Sequence, residues 1–264
     1  MGTGRRGVRR VSPEDRLSVF EHLHELRTRL FVCVGVLVVA FAALYAFNGW
    51  LLGLLLDPLS PEYRKLLALS PTEPFLVILK VVFGAAVLVT LPVLLYQLYA
   101  FVVPAIQVQT RRKMLVIVGG VSALFLGGVV FAYYLVLPVA LQWLLGFGQG
   151  DFQIALRADE YFSFALTMLL AGGIVFELPI AMLVLARLGL VTAQQFKSHW
   201  RIALVVIAFV AAILPGGDPV SMILLMIQQI VLYGVGVWLA SAFGRPAPWA
   251  RFTTSDPEEP AAPA

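Results

Sequence analysis

The chain has 264 residues, of which 60% are hydrophobic and only 13% are charged, and its mean hydropathy is +0.90. This balance excludes an ordinary soluble globular domain and indicates a membrane protein with several spans. The formal net charge is +4, but the basic residues lie in short gaps between apolar stretches, where they are typical of loops at a lipid surface, so we predict no nucleic-acid partner.

The first predicted helix begins at residues 12–15, where a serine cap, a proline at the first helical position and acidic residues follow one another. Glu21, Glu25 and Arg29 follow at successive steps of four and therefore share one face. An ordinary solvated face with local ion pairs is one interpretation of this row, and a recognition surface is the other. Apolar residues form a separate stripe, at Leu17, Phe20, Leu23, Leu26 and Leu30.

Six apolar stretches follow, each long enough or nearly long enough to cross a hydrocarbon core about 30 Å thick. They run from Leu30 to Leu56, Val81 to Thr110, Met114 to Gly150, Tyr161 to Ala186, Ile202 to Gly217 and Pro219 to Gly244. The fifth is strictly apolar only to Leu214, and five residues connect it to the sixth, so these two should be antiparallel neighbours. We therefore predict an all-α polytopic fold of six transmembrane helices, with helices five and six short.

Lysine and arginine are concentrated in the N-terminal tail, in the loops after spans two and four, and in the C-terminal tail. The positive-inside rule then places both termini in the cytoplasm. The predicted organisation is a cytoplasmic tail and amphipathic helix at residues 1–29, a membrane domain at residues 30–244, and a disordered tail at residues 245–264.

Glu177 is an ionisable residue inside an apolar span, where a charge is costly and usually faces protein or water. It could hold the bundle through a polar contact, dock a partner's transmembrane helix, carry a proton, or be a neutral acid satisfied by its neighbours. Pro179 should kink the helix nearby.

Three further polar positions lie near or inside the sixth span. Asp218 is expected to cap this helix. Gln228 and Gln229 could hydrogen-bond to a partner helix or within this chain.

Nothing in the chain predicts catalysis, a metal site or a cofactor. His22 and His24 are two residues apart on a helix and point in different directions, while His199 and Cys33 stand alone. Nucleophile, phosphate-loop and zinc-protease motifs are absent from the sequence.

Five ordered motifs resemble the TatC subunit of the twin-arginine protein translocase. The first is the stretch from His22 to Leu30, which is similar to the His-Leu-x-Glu-Leu-Arg-x-Arg signature of that family. The others lie at Leu69 to Phe75, Tyr96 to Ala105 with Arg111 and Arg112, Phe176 to Pro179, and Asp218 to Ser221.

The resemblance implies a receptor in the cytoplasmic (inner) membrane of a prokaryote that binds twin-arginine signal peptides and passes folded cargo across. It also implies TatA and TatB type single-span partners, other TatC copies, contact with lipids, and energy from the proton-motive force. The expected signal-peptide residues are Glu25, Glu21, Arg27, Arg29, Phe101, Pro104, Thr110 and Arg111, and the expected intramembrane or partner contacts are Glu177, Asp218, Ser221, Gln228 and Gln229.

The chain departs from the family pattern at Thr110, where relatives usually carry an acidic residue. We hypothesise that Glu21, one turn before Glu25, supplies part of the missing charge. Arg27 and Arg29 could orient Glu25 or bind lipid phosphates.

A proton-coupled secondary transporter that uses Glu177 is the alternative function. Such folds commonly have related halves with paired broken helices, and spans one to three contain no counterpart of Glu177 and Pro179.

Overall fold

A computed structural model describes residues 13–102, 111–147, 154–213 and 218–244; side chains are described within these ranges except at 13–23, 99–100, 102 and 111–118. The described residues form ten α-helices: α1 Pro13–Tyr45, α2 Asn48–Leu56, α3 Glu73–Val102, α4 Arg111–Phe131, α5 Leu137–Gly146, α6 Ala158–Phe176, α7 Leu178–Arg187, α8 Ala193–Ser198, α9 Trp200–Ile213 and α10 Pro219–Phe243. A π-helical turn, Ala132–Val136, joins α4 to α5. The predicted all-α fold is confirmed.

Five helical segments in the described ranges are long and apolar enough to cross a membrane: His24–Tyr45, Glu73–Leu98, Gly119–Gly146, Ala158–Arg187 and Pro219–Phe243. The sixth apolar segment, α9, has 14 residues and covers about 21 Å, as expected for a short fifth span. The expectation of a short sixth helix is wrong. Helix α10 has 25 residues, about 37 Å, because no charge or proline interrupts it after Pro219.

Two predicted span boundaries also need correction. The first span ends at Tyr45, and the residues up to Leu56 form the separate helix α2. The second span begins at Glu73 rather than Val81, because the Lys80 charge does not end the helix. Lys80 Nζ is paired with Asp159 Oδ1 and donates to Ser163 Oγ at 2.8 Å, so its charge is balanced within the protein.

The predicted amphipathic helix and the first span are one continuous helix, since α1 passes through residues 29 and 30 without interruption. Helix α1 packs on α3, and α3 packs on both α4 and α6. Helix α7 packs on α10, which also contacts α9. The Glu25 end of α1 therefore lies against α3, and the Glu177 region lies near α10.

Spans three and four approach each other through small residues. A Cβ atom added to Gly128 would lie 2.5 Å from the Gly172 backbone oxygen, and one added to Gly172 would lie 2.5 Å from the Ala132 Cβ. Glycine at these positions lets the two backbones pack closely, as is common between membrane helices.

The ends of spans two and four that face the two longer loops are tied together. Leu67 N donates to Leu156 O, and Ala158 N donates to Leu67 O, both at 2.9 Å. Next to this bridge, Arg157 Nε donates to Glu73 Oε1 at 2.9 Å, and Glu73 is only 4% exposed. This ion pair raises the pKa of the Arg157 guanidinium above its ordinary value.

Candidate functional site

The Glu25 carboxylate is held by two groups of one arginine on the next helical turn. Arg29 Nη2 donates to Glu25 Oε1 at 2.6 Å, and Arg29 Nε donates to the same oxygen at 3.0 Å. The side chain of Glu25 remains 38% exposed, and its Oε2 atom has no partner in the part of the chain that the structure describes. The carboxylate is thus oriented but still accessible.

Arg29 is also held from the second span. Its Nη1 atom donates to Gln97 Oε1 on α3 at 3.0 Å. The Arg29 side chain is 24% exposed, so it is less accessible than the carboxylate that it contacts. A chain of hydrogen bonds therefore runs from α3 through Arg29 to Glu25.

Arg27 does not take part in this chain of hydrogen bonds. It is exposed, and its guanidinium carbon lies 5.5 Å from the centre of the Phe31 ring, a cation–π distance. Of the two roles predicted for Arg27 and Arg29, orienting Glu25 therefore fits Arg29, whereas Arg27 is free to meet a lipid phosphate or a ligand.

The remaining predicted signal-peptide residues are only partly described. The backbone of Glu21 belongs to α1, one turn before Glu25, but its side chain lies outside the described residues. Phe101 is half-buried, one turn after Gln97 on α3 and hence on the same helical face. Pro104 and Thr110 lie outside the described residues, as does the side chain of Arg111, the first residue of α4.

The fourth span is broken at Glu177. Helix α6 ends at Phe176, α7 begins at Leu178, and Glu177 N donates to Ile174 O at 3.0 Å, the spacing of a tightened last turn. Pro179 is in the first turn of α7 and is buried, and the expected distortion is present as a one-residue interruption at Glu177, across which Ala181 N still donates to Glu177 O at 2.9 Å.

The Glu177 side chain is half-buried, and its Oε1 atom is buried without a hydrogen-bond partner in the described residues. The interpretation that neighbouring groups satisfy this carboxyl is therefore not supported for Oε1. A buried acceptor without a donor is costly. Glu177 is thus positioned to accept a hydrogen bond from a group that this chain does not supply in the described ranges.

Asp218 caps helix α10 as the sequence predicts. Its Oδ1 atom accepts a hydrogen bond from Ser221 N at 2.7 Å, and the residue is only 3% exposed. Asp218 Oδ2 and Ser221 Oγ are buried and have no partner in the described part of the chain.

Gln228 and Gln229 are both buried on α10. Both amide atoms of Gln228 and the amide nitrogen of Gln229 lack a partner among the described residues. Hydrogen bonding within the chain, one of the two predicted interpretations, is therefore not seen for these three atoms, and no hydrogen bond in the described ranges joins them to Glu177.

Sequence reasoning did not assign a role to Gln97, although the residue stands in a motif that we singled out. Its partner Arg29 is 68 residues away in the sequence, so the periodicity of either helix alone does not reveal the contact. The spacing between Gln97 and Phe101 is the one sequence signal that could have placed Gln97 at the site. Groups of three or more metal-ligating side chains are absent from the described ranges.

The model of the family described as "Sec-independent protein translocase protein (TatC)" matches residues 21–227. The chain is 34% identical to the chloroplastic TATC protein of Pisum sativum over 235 residues. These residues cover 88% of this chain and 67% of the relative. The chain is 36% identical over 228 residues to TatC of Helicobacter pylori, covering 86% of this chain and 88% of the relative. TatC of Aquifex aeolicus is 34% identical over 223 residues, which cover 83% of this chain and 92% of the relative.

A solved structure is also similar to this fold. The crystal structure of a twin arginine translocase receptor, TatC, superposes with a TM-score of 0.74 and 32% sequence identity, covering 85% of this chain and all of that one. The matched relatives are Sec-independent protein translocase proteins. They support the translocase prediction and give no support to the secondary-transporter alternative.

Proposed function

This chain belongs to the TatC family of Sec-independent protein translocase proteins, and we propose that it is the twin-arginine signal-peptide receptor and the core scaffold of a translocase that exports folded proteins. The receptor proposal rests on the contacts of the Glu25 carboxylate. One of its oxygens is fixed by Arg29, the other has no partner in the described residues, and the side chain is 38% exposed.

An incoming arginine needs a carboxylate whose position is already set, because ordering a flexible acid on binding costs conformational entropy. Arg29 and Gln97 provide that order by tying the Glu25 side chain to the second span. The incoming guanidinium donates to Oε2, and charge assistance makes such a hydrogen bond stronger than one between neutral groups.

Arg29 also largely neutralises Glu25, so one carboxylate is not enough for two incoming arginines. This charge balance favours the hypothesis that Glu21 supplies a second acid where the family pattern is interrupted at Thr110. Glu21 lies one turn from Glu25 on the same face of α1. The paired arginines would then lie along the helix.

The other predicted residues complete the surface in this proposal. Phe101 and Pro104 give the signal peptide an apolar contact next to Gln97. Thr110 accepts or donates a hydrogen bond, and Arg111 together with Arg27 keeps the peptide close to lipid phosphates.

The scaffold half of the proposal concerns the unpartnered polar atoms of the fourth and sixth spans. As a translocase component the chain works with other Tat subunits. In our proposal, transmembrane helices of TatA and TatB type subunits, and other TatC copies, bind along these spans and supply donors and acceptors to the following residues: Glu177, Asp218, Ser221, Gln228 and Gln229.

The chain is a multi-pass membrane protein. We propose that it lies in the cytoplasmic (inner) membrane of a prokaryote with both termini in the cytoplasm, residues 1–29 forming the cytoplasmic entrance, residues 30–244 the membrane domain and residues 245–264 a tail. It performs no catalysis and needs no cofactor; the proton-motive force supplies the energy.

Site-specific photocrosslinking in native membranes tests the receptor proposal. Probes replace His24, which is exposed and next to Glu25, and Thr110 in the loop. A twin-arginine precursor should crosslink at position 24, and its twin-lysine variant should crosslink at least tenfold less, because lysine lacks the planar fork of donors. A probe at Glu62, an exposed residue in the loop between α2 and α3, serves as the control.

The same assay in Glu25→Gln and Glu21→Gln backgrounds separates the two acids. Both variants should lose the crosslink, Glu25→Gln more completely. If Glu21→Gln binds like the unchanged protein, the compensation hypothesis is wrong, while the receptor proposal stands on Glu25. If position 24 does not crosslink in membranes that export the precursor, the receptor site lies elsewhere.

A further inference from the structure

A cavity of about 400 Å³ opens between helices α7 and α9, near the basic end of the bundle. Both helices pack on α10, and the cavity separates them from each other. Two helical stripes face one another across it, formed mainly by Leu178, Ala181 and Leu185 on α7 and by Ile202, Ala203 and Val206 on α9.

The cavity is an open cleft whose walls are mostly apolar. Leu185 is seven positions after Leu178, so the apolar wall on α7 is about 10 Å long. Tyr233 of α10 lines the floor, and its hydroxyl donates to Phe196 O at 2.7 Å, which fixes α8 over the cleft. The polar lining groups are those of Gln195 and His199 and the Tyr233 hydroxyl, all near α8.

Two cations lie next to this polar end in the sequence, in a stretch of chain that contains no acid. Lys197 and Arg201 are exposed on either side of His199, and neither forms an ion pair within the described residues. Residues 178–217 contain no aspartate or glutamate. Arg201 lies in the first turn of α9, where the helix dipole disfavours a positive charge, so the stability of α9 does not explain its presence.

We propose that this cleft binds one anionic phospholipid, with an acyl chain between α7 and α9 and the phosphate on Lys197 and Arg201. An acyl chain suits a cleft that is apolar along its length and polar only at its mouth. Trp200 lies beside Arg201, with the guanidinium carbon 5.7 Å from the ring, as expected at the level of the headgroups. The neighbouring face of α9 is open to lipid, since Val205 is 70% exposed.

The bound chain would fill the space that separates α7 from α9. Helix α9 is the short span and packs on α10, so a chain in this cleft would add a contact between α9 and α7. A lipid held there makes the spacing of the two helices depend on lipid composition.

Native mass spectrometry of the purified full-length protein tests the proposal. The protein is titrated with phosphatidylglycerol and, separately, with phosphatidylcholine of the same chains. One phosphatidylglycerol should bind more tightly, and Lys197→Gln with Arg201→Gln should weaken it about 25-fold, roughly fivefold for each lost cation. The control Arg5→Gln with Arg6→Gln removes the same charge from the N-terminal tail and should leave binding unchanged.

A second arm locates the acyl chain. Ala203→Phe fills the cleft and should remove the tight lipid, whereas Val205→Phe, on the exposed side of α9, should not. In the unchanged protein, a phosphatidylglycerol with a photoreactive chain should label peptides of α7 and α9. Three results would each overturn the proposal. The two lipids could bind equally, the photoreactive chain could label other helices, or Ala203→Phe could lose a copurified single-span protein instead of the lipid.

Discussion

Arg29 of the first span donates from Nη1 to Gln97 Oε1 of the second span at 3.0 Å while its other two donor groups hold Glu25. A neutral amide thus fixes the arginine without competing for its charge. The position of the Glu25 carboxylate consequently depends on the packing of α1 against α3.

Gln97→Leu should weaken binding of a twin-arginine precursor about tenfold, because a charged group loses a hydrogen-bond partner and Glu25 becomes less ordered. Precursor affinity in membranes or detergent is the measurement. Gln194→Leu, at an exposed glutamine on α8, is the matched control and should bind normally. Unchanged affinity in Gln97→Leu would show that Arg29 orients Glu25 without help from α3.

Glu177→Met should raise the stability of the purified protein by about 1 kcal/mol, because it removes a buried oxygen that lacks a partner. The same variant should lose export, since a donor from another subunit would have nothing to contact. Thermal unfolding in detergent and an export assay measure the two effects. The control Glu62→Met, at an exposed site, should change neither stability nor export. A loss of stability in Glu177→Met would mean that the carboxyl has a hydrogen-bond partner in the folded chain.

Gly128→Ala should destabilise the protein by about 1–3 kcal/mol, because the new Cβ would lie 2.5 Å from the Gly172 backbone oxygen. Gly127→Ala is the control on the same helix, since its Cβ would meet nothing within 4 Å. Comparison of the two unfolding midpoints checks the prediction. Equal midpoints would mean that spans three and four can separate without cost.

Asp218→Ala should cost about 1 kcal/mol through loss of the helix cap, whereas Asp218→Asn should be nearly neutral because asparagine caps equally well. Thermal unfolding distinguishes the two variants. An export defect in a stable Asp218→Asn protein would assign the carboxylate a role beyond capping.

Arg157→Gln should lower the unfolding temperature more than Glu160→Gln does. Arg157 pairs with the buried Glu73, while Glu160 is 74% exposed and its contact with Arg157 is 3.8 Å long. Thermal unfolding of both variants and of Glu73→Gln checks this order. Similar losses in Arg157→Gln and Glu160→Gln would show that the tie between the second and fourth spans contributes little.

Local features of the chain were predictable because they depend on neighbouring residues. The spacing of Glu25 and Arg29 predicts their contact, Pro179 predicts the break in the fourth span, and Asp218 before a proline predicts a cap. Each of these signals lies within four residues of the feature that it produces.

Features that depend on distant partners were not predictable in the same way. The charge of Lys80 led to a predicted start of the second span that is too late. Asp159, which balances this charge, is 79 residues away in the sequence and gives no local signal. Gln97 and the pair of Glu73 with Arg157 likewise have no local signal, since their partners are 68 and 84 residues distant. The lack of partners for Glu177 Oε1 and the Gln228 amide has no local signal either, because it depends on side chains that are distant in the sequence.

The interruption of the fourth span lies between two helices that pack on different partners. Helix α6 packs mainly on α4 and α3, whereas α7 packs on α10. The two sides still share a core, since Val136 and Met168 belong to one buried cluster with Leu225 of α10. A subunit that donates a hydrogen bond to Glu177 would therefore contact the molecule at the position where the fourth span passes from one set of helix contacts to the other.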